Sequence, residues 1–194
     1  MIIEPARASD ALAPLIYSSG PAAFDFVFLG QALEFLQSVS DGKGHSFGFD
    51  AHTVMRDDKG QAQACISLYT RDQHDARQNA NVAAIIRWGS WRSPIMLVRG
   101  LRVEKLIPPP PPDSLHVAQL GVAPALRSQG LGAQLLAYAE SQARARGIGQ
   151  LSLDVADENP RARALYERLG FRLLTSQASS IPGLSDHHLL VRPV

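Results

Sequence analysis

The stretch "SLHVAQLGVAPALRSQGLGAQLLAYAESQARARG", residues 114–147, decides the fold. Its opening nine residues, Ser114 to Val122, are rich in apolar side chains and read as a strand. Pro124 and a glycine-bearing loop end that strand. From Gly132 to Arg146, Leu135, Ala139 and Ala143 recur every four positions behind Leu131, which describes one face of an α-helix. Gly147 is a natural stop, and Arg144 and Arg146 stand at the negative end of the helix dipole. A strand, a glycine turn and a helix start leave the first helical N–H groups unpaired and aimed outward, which suits an anion. Gly130 and Gly132 remove the Cβ atoms that would hold an anion off, and Arg127 adds a forked donor. Alone, the Gly-x-Gly pair fits either a phosphate cradle or a tight turn. It has neither the Gly-Lys-Ser/Thr of a Walker loop nor the third glycine of a dinucleotide fingerprint.

Downstream, "LSLDV" alternates Leu151, Leu153 and Val155 with Ser152 and Asp154, a further strand. Asn159 followed by Pro160 makes a helix N-cap with proline at the first helical position. Ala162, Leu165, Tyr166 and Leu169 form the next helical face, which Gly170 ends. "FRLLTS" and "DHHLLVRPV" read as two closing strands, with one of His187 and His188 facing in and the other out. A strand-helix-strand unit of this length predicts a parallel pair with a crossover helix.

Upstream the signals are coarser. They give a short strand at Met1 to Glu4, a helix over Asp10 to Ser18, and an aromatic-rich second helix within "SSGPAAFDFVFLGQALEFLQSV". "SFGFDAHTVMRDDKGQAQACISLYT" reads as a hairpin with its turn at Asp57 to Gly60. An amphipathic helix follows over Asn81 to Leu106, broken at Pro94. "PPPPP", Pro108 to Pro112, is a stiff extended tether. The Asn81–Ile107 segment mixes Trp88, Trp91, Ile95, Met96 and Leu97 with arginines. It reads as a helix packed on the domain, with a lid, a homodimer contact or a membrane-surface helix as alternatives. Its basic character would suit an acidic acceptor.

The bulk numbers set the frame. A chain of 194 residues with 45% hydrophobic and 19% charged residues is long enough for one domain with a real core. Nineteen basic against eighteen acidic residues, net +1, give no global pull toward nucleic acid or anionic membrane. No uncharged apolar run reaches the roughly 18–20 residues of a membrane span. The N-terminal "MIIEPARASD" lacks the form of a signal peptide. A single cysteine, Cys65, excludes an intrachain disulfide and reads as a small buried hydrophobe; no Cys/His group has metal spacing. A cytoplasmic protein without a metal is the expectation.

Two blocks together carry a resemblance. Arg127, Ser128, Gln129, Gly130, Leu131 and Gly132 resemble the acyl-CoA loop of the GNAT superfamily of N-acetyltransferases, Gln/Arg-x-x-Gly-x-Gly/Ala after a strand. At the family's spacing, "NPRARALYERLGF" is similar to its second block, Asn-x-x-Ala-x-x-Leu-Tyr-x-x-x-Gly-Phe, through Asn159, Ala162, Leu165, Tyr166, Gly170 and Phe171. The resemblance implies a mixed α/β (α+β) fold: a central mixed sheet of about six to seven strands, flanked by helices, with a splayed parallel strand pair. It implies one acetyltransferase domain over residues 1–194, with a helical insertion at about 75–112 before the coenzyme-binding strand.

The same resemblance implies acetyl-CoA as co-substrate and direct transfer to a primary amine of a small molecule or peptide. Backbone N–H groups from Gln129 to Ala133, with Arg127 and Ser128, would hold the pyrophosphate. Pantetheine would lie along Leu120, Gly121 and Val122 and touch Asn159, and an N–H near Leu120 would polarise the thioester carbonyl. Tyr166 stands where the family places the acid that protonates the departing thiolate; its other reading is helix packing, with its hydroxyl bonded to backbone. A tyrosine is protonated at neutral pH and can donate. The ammonium of the acceptor needs a base, for which His116 is the candidate, the other reading being a buried or edge histidine. Asp154 is a second candidate. Glu104 could serve only if its segment folds over the site. A non-catalytic acyl-CoA-binding module with a regulatory or interaction role is the alternative function.

Overall fold

The computed structural model describes residues 1–194. Seven strands form one sheet: β1 (Ile2–Pro5), β2 (His52–Arg56), β3 (Ala62–Tyr69), β4 (Leu115–Val122), β5 (Gln150–Ala156), β6 (Arg172–Gln177) and β7 (His187–Pro193). Their order across the sheet is β1-β2-β3-β4-β5-β7-β6. All neighbours are antiparallel except β4 and β5, which are parallel and joined by the crossover helix α6 (Leu131–Ala145). The strand-helix-strand reading of residues 114–155 is therefore met, and so is the fold class as a whole.

One face of the sheet is covered by α6, whose Leu131, Leu135, Leu136, Ala139 and Ala143 are buried against Leu115, Val117, Leu151, Leu153 and Val155. Tyr166, on α7 (Pro160–Arg168), joins this core with Phe171. The other face carries α1 (Leu12–Tyr17), α2 (Pro21–Val27), α3 (Ala32–Val39), α4 (Arg71–Gly89) and α5 (Ser93–Leu106), packed around Phe28, Phe35, Val54 and Cys65. Phe28 and Phe35 stack at 4.0 Å between ring centroids, and Trp88 of α4 meets both edge-on. Cys65 is fully buried, and burial pushes its thiol up to about 12. No helix is long and apolar enough to cross a membrane.

The structure corrects three upstream boundaries. The second predicted helix is two, α2 and α3, because Leu29 and Gly30 adopt positive φ (59° and 78°) and reverse the chain between them. The helix expected from Asn81 begins ten residues earlier, at Arg71, where Thr70 and Gln73 form a reciprocal capping box. It breaks at Gly89–Arg92 rather than at Pro94. Ser90 takes a φ of 49°, while Pro94 sits in the first turn of α5, where its fixed φ is accommodated. A side chain at Gly89 would meet Met96 Sδ at 2.9 Å and Ser93 Oγ at 3.0 Å, so the glycine lets the start of α5 pack closely on the end of α4. Pro108–Pro112 is no free tether: Pro110 is buried, and its carbonyl accepts from Arg71 Nε at 2.8 Å.

Candidate active site

The site begins with a defect in β4. Ser67 of β3 stands opposite Ala118, but Cys65 stands opposite Gly121, so three steps on β4 match two on β3. Gln119 absorbs the extra residue at a φ of 48°. Its side chain turns back, where Oε1 meets His52 Nε2 at 2.7 Å. The bulge bends β4, and the consequence appears on its other edge. β4 pairs with β5 only through Leu115, His116 and Val117. Beyond Val117 the parallel pair opens into a wedge of about 170 Å³, lined by Val117, Ala118, Gln119, Leu120, Tyr166 and Asp154, among others. The backbone of residues 118–122 thus has an edge without a strand partner, which an extended ligand can use as a strand would. Gly121 fits here because α1 presses on it: a Cβ would lie 2.0 Å from the carbonyl oxygen of Leu15.

The glycine loop follows immediately. After a single 3-10 turn at Pro124–Leu126, Ser128 and Gly130 take φ values of 64° and 84°, and α6 starts at Leu131. The helix has no side-chain cap, and Gln134 N donates to the carbonyl of Gly130. The N–H groups of Leu131, Gly132 and Ala133 have no helical carbonyl behind them. Gly130 is needed for its left-handed conformation. Gly132 has a packing reason, since a Cβ would stand 3.3 Å from Leu165 of α7. Arg127 donates through Nε to the carbonyl of Val122 at 3.3 Å and remains exposed. No local sequence pattern marks Arg161, yet its Nη2 reaches Ser128 Oγ at 2.5 Å, placing a second guanidinium at the loop. Asn159 caps α7 by accepting from Ala162 N at 3.2 Å.

The wedge opens into a much larger cleft of about 940 Å³, and the two share Ser19, Tyr69, Ile107, His116, Asp154 and Tyr166. Tyr166 is 8% exposed. Burial pushes its hydroxyl up to about 12, and that hydroxyl has no hydrogen-bond partner in the chain. The alternative in which it bonds backbone is not what the structure shows.

His116 is held by a chain of hydroxyls. Ser114 Oγ donates to the carbonyl of Pro111 at 2.9 Å, which uses its only proton. Ser152 must then donate to Ser114, and its own oxygen accepts from His116 Nδ1, each at 2.9 Å. The lone pair of a neutral His116 is consequently on Nε2, which lies 3.6 Å from Asp154 Oδ2. Burial, with a contribution from His74, presses the His116 imidazole down to about 3. Burial raises the Asp154 carboxyl from 3.8 to about 7. Asp154 Oδ2 is buried and accepts no hydrogen bond.

The rest of the cleft was not legible from local sequence. Tyr69, at the end of β3, stands in register with His116, with ring centroids 5.3 Å apart. Glu104 of α5 lines the cleft, so its segment does fold over the site. The arginines of α5 turn elsewhere: Arg99 Nη1 donates to the carbonyl of Phe26 at 2.8 Å, and Arg99 and Arg102 both stack on the Phe26 ring. His187 faces the cleft with its Nδ1 unpartnered, while His188 bonds Ser176 and Asp157.

The model of the acetyltransferase (GNAT) family matches residues 34–171. A mycothiol acetyltransferase of Beutenbergia cavernae is 50% identical over 52 residues, 27% of this chain and 18% of that protein. A blasticidin-S acetyltransferase of Streptomyces morookaense is 37% identical over 76 residues, 39% of this chain and 55% of that protein. The ribosomal protein bS18-alanine N-acetyltransferase of Escherichia coli K12 is 33% identical over 85 residues, 42% of this chain and 57% of that protein. The alignments thus span less than two thirds of each of these relatives. Among solved structures, one acetyltransferase superposes with a TM-score of 0.72 at 20% identity over 100% of both chains. An N-acetyltransferase from Staphylococcus aureus Mu50 does so at 0.64 and 15%, over 99% of this chain and 100% of that one. At such identities the likeness is one of fold.

Proposed function

The chain belongs to the GNAT acetyltransferase family, and from that premise we propose that it moves the acetyl group of acetyl-CoA directly to a primary amine bound in the large cleft. The observation that carries this reading is the opening of β4 from β5 after Val117, with Tyr166 and Asp154 on the two-way boundary between wedge and cleft. The residues fit the coenzyme. A free strand edge at Leu120, Gly121 and Val122 would take the peptide-like pantetheine, with Asn159 nearby. The N–H groups from Gln129 to Ala133, with Arg127, Ser128 and Arg161 around them, would take the pyrophosphate. Bound there, the coenzyme supplies an acyl group activated as a thioester.

The chain's own residues divide the remaining work. A backbone N–H at Leu120 holds the carbonyl oxygen as negative charge develops on it. Tyr166 protonates the departing sulfur: its hydroxyl is protonated throughout the neutral range and unspent on any internal bond. Asp154 removes the proton that the acceptor's ammonium must lose, since its carboxyl is raised to about 7 and its Oδ2 is free. His116, the base expected from sequence, stands behind Asp154 as a neutral acceptor that faces the carboxyl once it has taken up a proton. Its Nε2 lone pair faces the carboxyl, and its Nδ1 is tethered through Ser152 and Ser114 to Pro111.

Equilibrium binding of acetyl-CoA tests the cradle. Wild type should bind saturably, and Gly130→Glu should lose binding by at least about 100-fold, because it places bulk and negative charge where the anion sits and strains a left-handed position. A folded Gly130→Glu protein with unchanged affinity would remove the loop from the site.

A further inference from the structure

The cleft has a sign and a texture that the family reading does not supply. Of the residues lining it, none is lysine or arginine, although the chain carries nineteen. Three are carboxylates: Glu104 of α5, Asp154 of β5, and Glu158 in the turn before α7. None of the three forms an ion pair with a lysine or arginine. Glu104 has only a long contact from the Gln78 amide, at 3.5 Å. The Asp154 side chain is 10% exposed, lines the cleft, and leaves Oδ2 without a partner. Carboxylates that line an apolar cleft, Glu104 half-buried, Asp154 nearly buried and Glu158 exposed at the rim, without any internal lysine or arginine partner, suit a cation brought by the ligand.

The walls are apolar. Phe24, Val27 and Phe28 come from the α2 end, Ile85 from α4, Leu97 and Val103 from α5. Val82 and Leu101 belong to the lining and are also solvent-exposed, so the rim is apolar as well. The cleft of about 940 Å³ lies at the upper end of the range for a ligand site, and it is shared between the acceptor and the end of the coenzyme arm at Asn159 and Tyr166.

We propose that the acceptor is a primary amine carried on a bulky apolar body and taken up as a cation, with Glu104 selecting its charge and the α4–α5 helices supplying its apolar wall. The inference rests on the transfer reading for the fate of the amine, but not for its binding. An acidic acceptor, which the arginines of the α5 segment suggest in the sequence, is disfavoured because those arginines face away from the cleft.

Binding, rather than turnover, is the test. Phenylpropylamine, phenylpropionate and ethanolamine are titrated calorimetrically into the protein saturated with coenzyme A. The first two share a body and differ in charge; the first and third share a charge and differ in body. Phenylpropylamine should bind at least about tenfold more tightly than either. Glu104→Gln should weaken it about fivefold, the effect of losing one partly solvated charge partner, without altering coenzyme binding. Glu104→Lys should reverse the order of amine and acid, with coenzyme binding again reporting that the fold is intact. Equal affinity for the carboxylate or for ethanolamine overturns the proposal, and so does an unchanged amine affinity in Glu104→Gln. Thiol release from acetyl-CoA is read separately. Tight amine binding without release defeats the transfer reading and leaves the acceptor class standing.

Discussion

Replacing Asp154 by asparagine should make the protein more stable and less active at the same time. The carboxyl ionises at 3.8 in the free state and at about 7 in the folded protein, because burial disfavours its charge. Between those values the folded chain binds more protons than the unfolded chain, so stability falls as pH rises through that window. Below 3.8 there is no cost, and above about 7 the cost is complete. At about 1.4 kcal/mol for each tenfold change in proton affinity, holding the carboxylate ionised costs on the order of 4 kcal/mol at most. His116, 3.6 Å away and pressed down to about 3 by burial, is neutral across this window and offsets none of it. The amide side chain of the variant cannot ionise and escapes the cost, so Asp154→Asn should gain about 1–3 kcal/mol at about pH 8. The gain should widen from about pH 5 to about pH 7 and stay level above. Urea unfolding across that range measures it, with acetyl transfer followed on the same preparations and expected to fall by about 100-fold or more. A variant no more stable than wild type at the alkaline end, or a difference independent of pH, would refute the buried, raised carboxyl and with it the base assigned here.

Other changes follow from the same geometry. Tyr166→Phe removes a hydroxyl that makes no internal hydrogen bond. Steady-state kinetics should show turnover down by about 100-fold, with acetyl-CoA affinity and melting temperature nearly unchanged; equal turnover would remove Tyr166 as the acid. Gly121→Ala would put a methyl 2.0 Å from the Leu15 carbonyl oxygen, which is backbone and cannot turn aside. Denaturant unfolding should show a loss of about 3 kcal/mol, with weakened coenzyme binding as α1 and β4 move apart. Wild-type stability in this variant would contradict the close seat of α1 on β4.

What the sequence discloses depends on how local each feature is. Strand β4, the glycine loop, α6, β5 and α7 announce themselves because caps, glycines and periodicity act within a few residues, and the two blocks that resemble the family lie inside them. The bulge at Gln119 breaks the simple alternation that places His116, Ala118 and Leu120 on one face, and nothing in "SLHVAQLGV" marks it. It depends on His52, a partner 67 residues away. The helix from Asn81 is misplaced at its start because α4 has hardly any amphipathic stripe in its first two turns, "RDQHDARQ", and is fixed by its Thr70–Gln73 cap. Asp154, Glu104 and Tyr69 come from β5, α5 and β3, and only the folded sheet brings them to one cleft. The sign of that cleft is opposite to the sign suggested by the arginines of α5, because Phe26 and its carbonyl draw Arg99 to the outside.

On the proposed function, the wedge between β4 and β5 delivers an acetyl group to an amine in the cleft. Release of free thiol from acetyl-CoA on adding an apolar primary amine, with the N-acetylated product identified by mass spectrometry, tests it most directly. Wild type should release thiol and form the amide in equal amounts, saturably in both substrates. Saturable acetyl-CoA binding with no amine-dependent thiol from any amine that occupies the cleft would contradict the claim and mark the chain as a binding module.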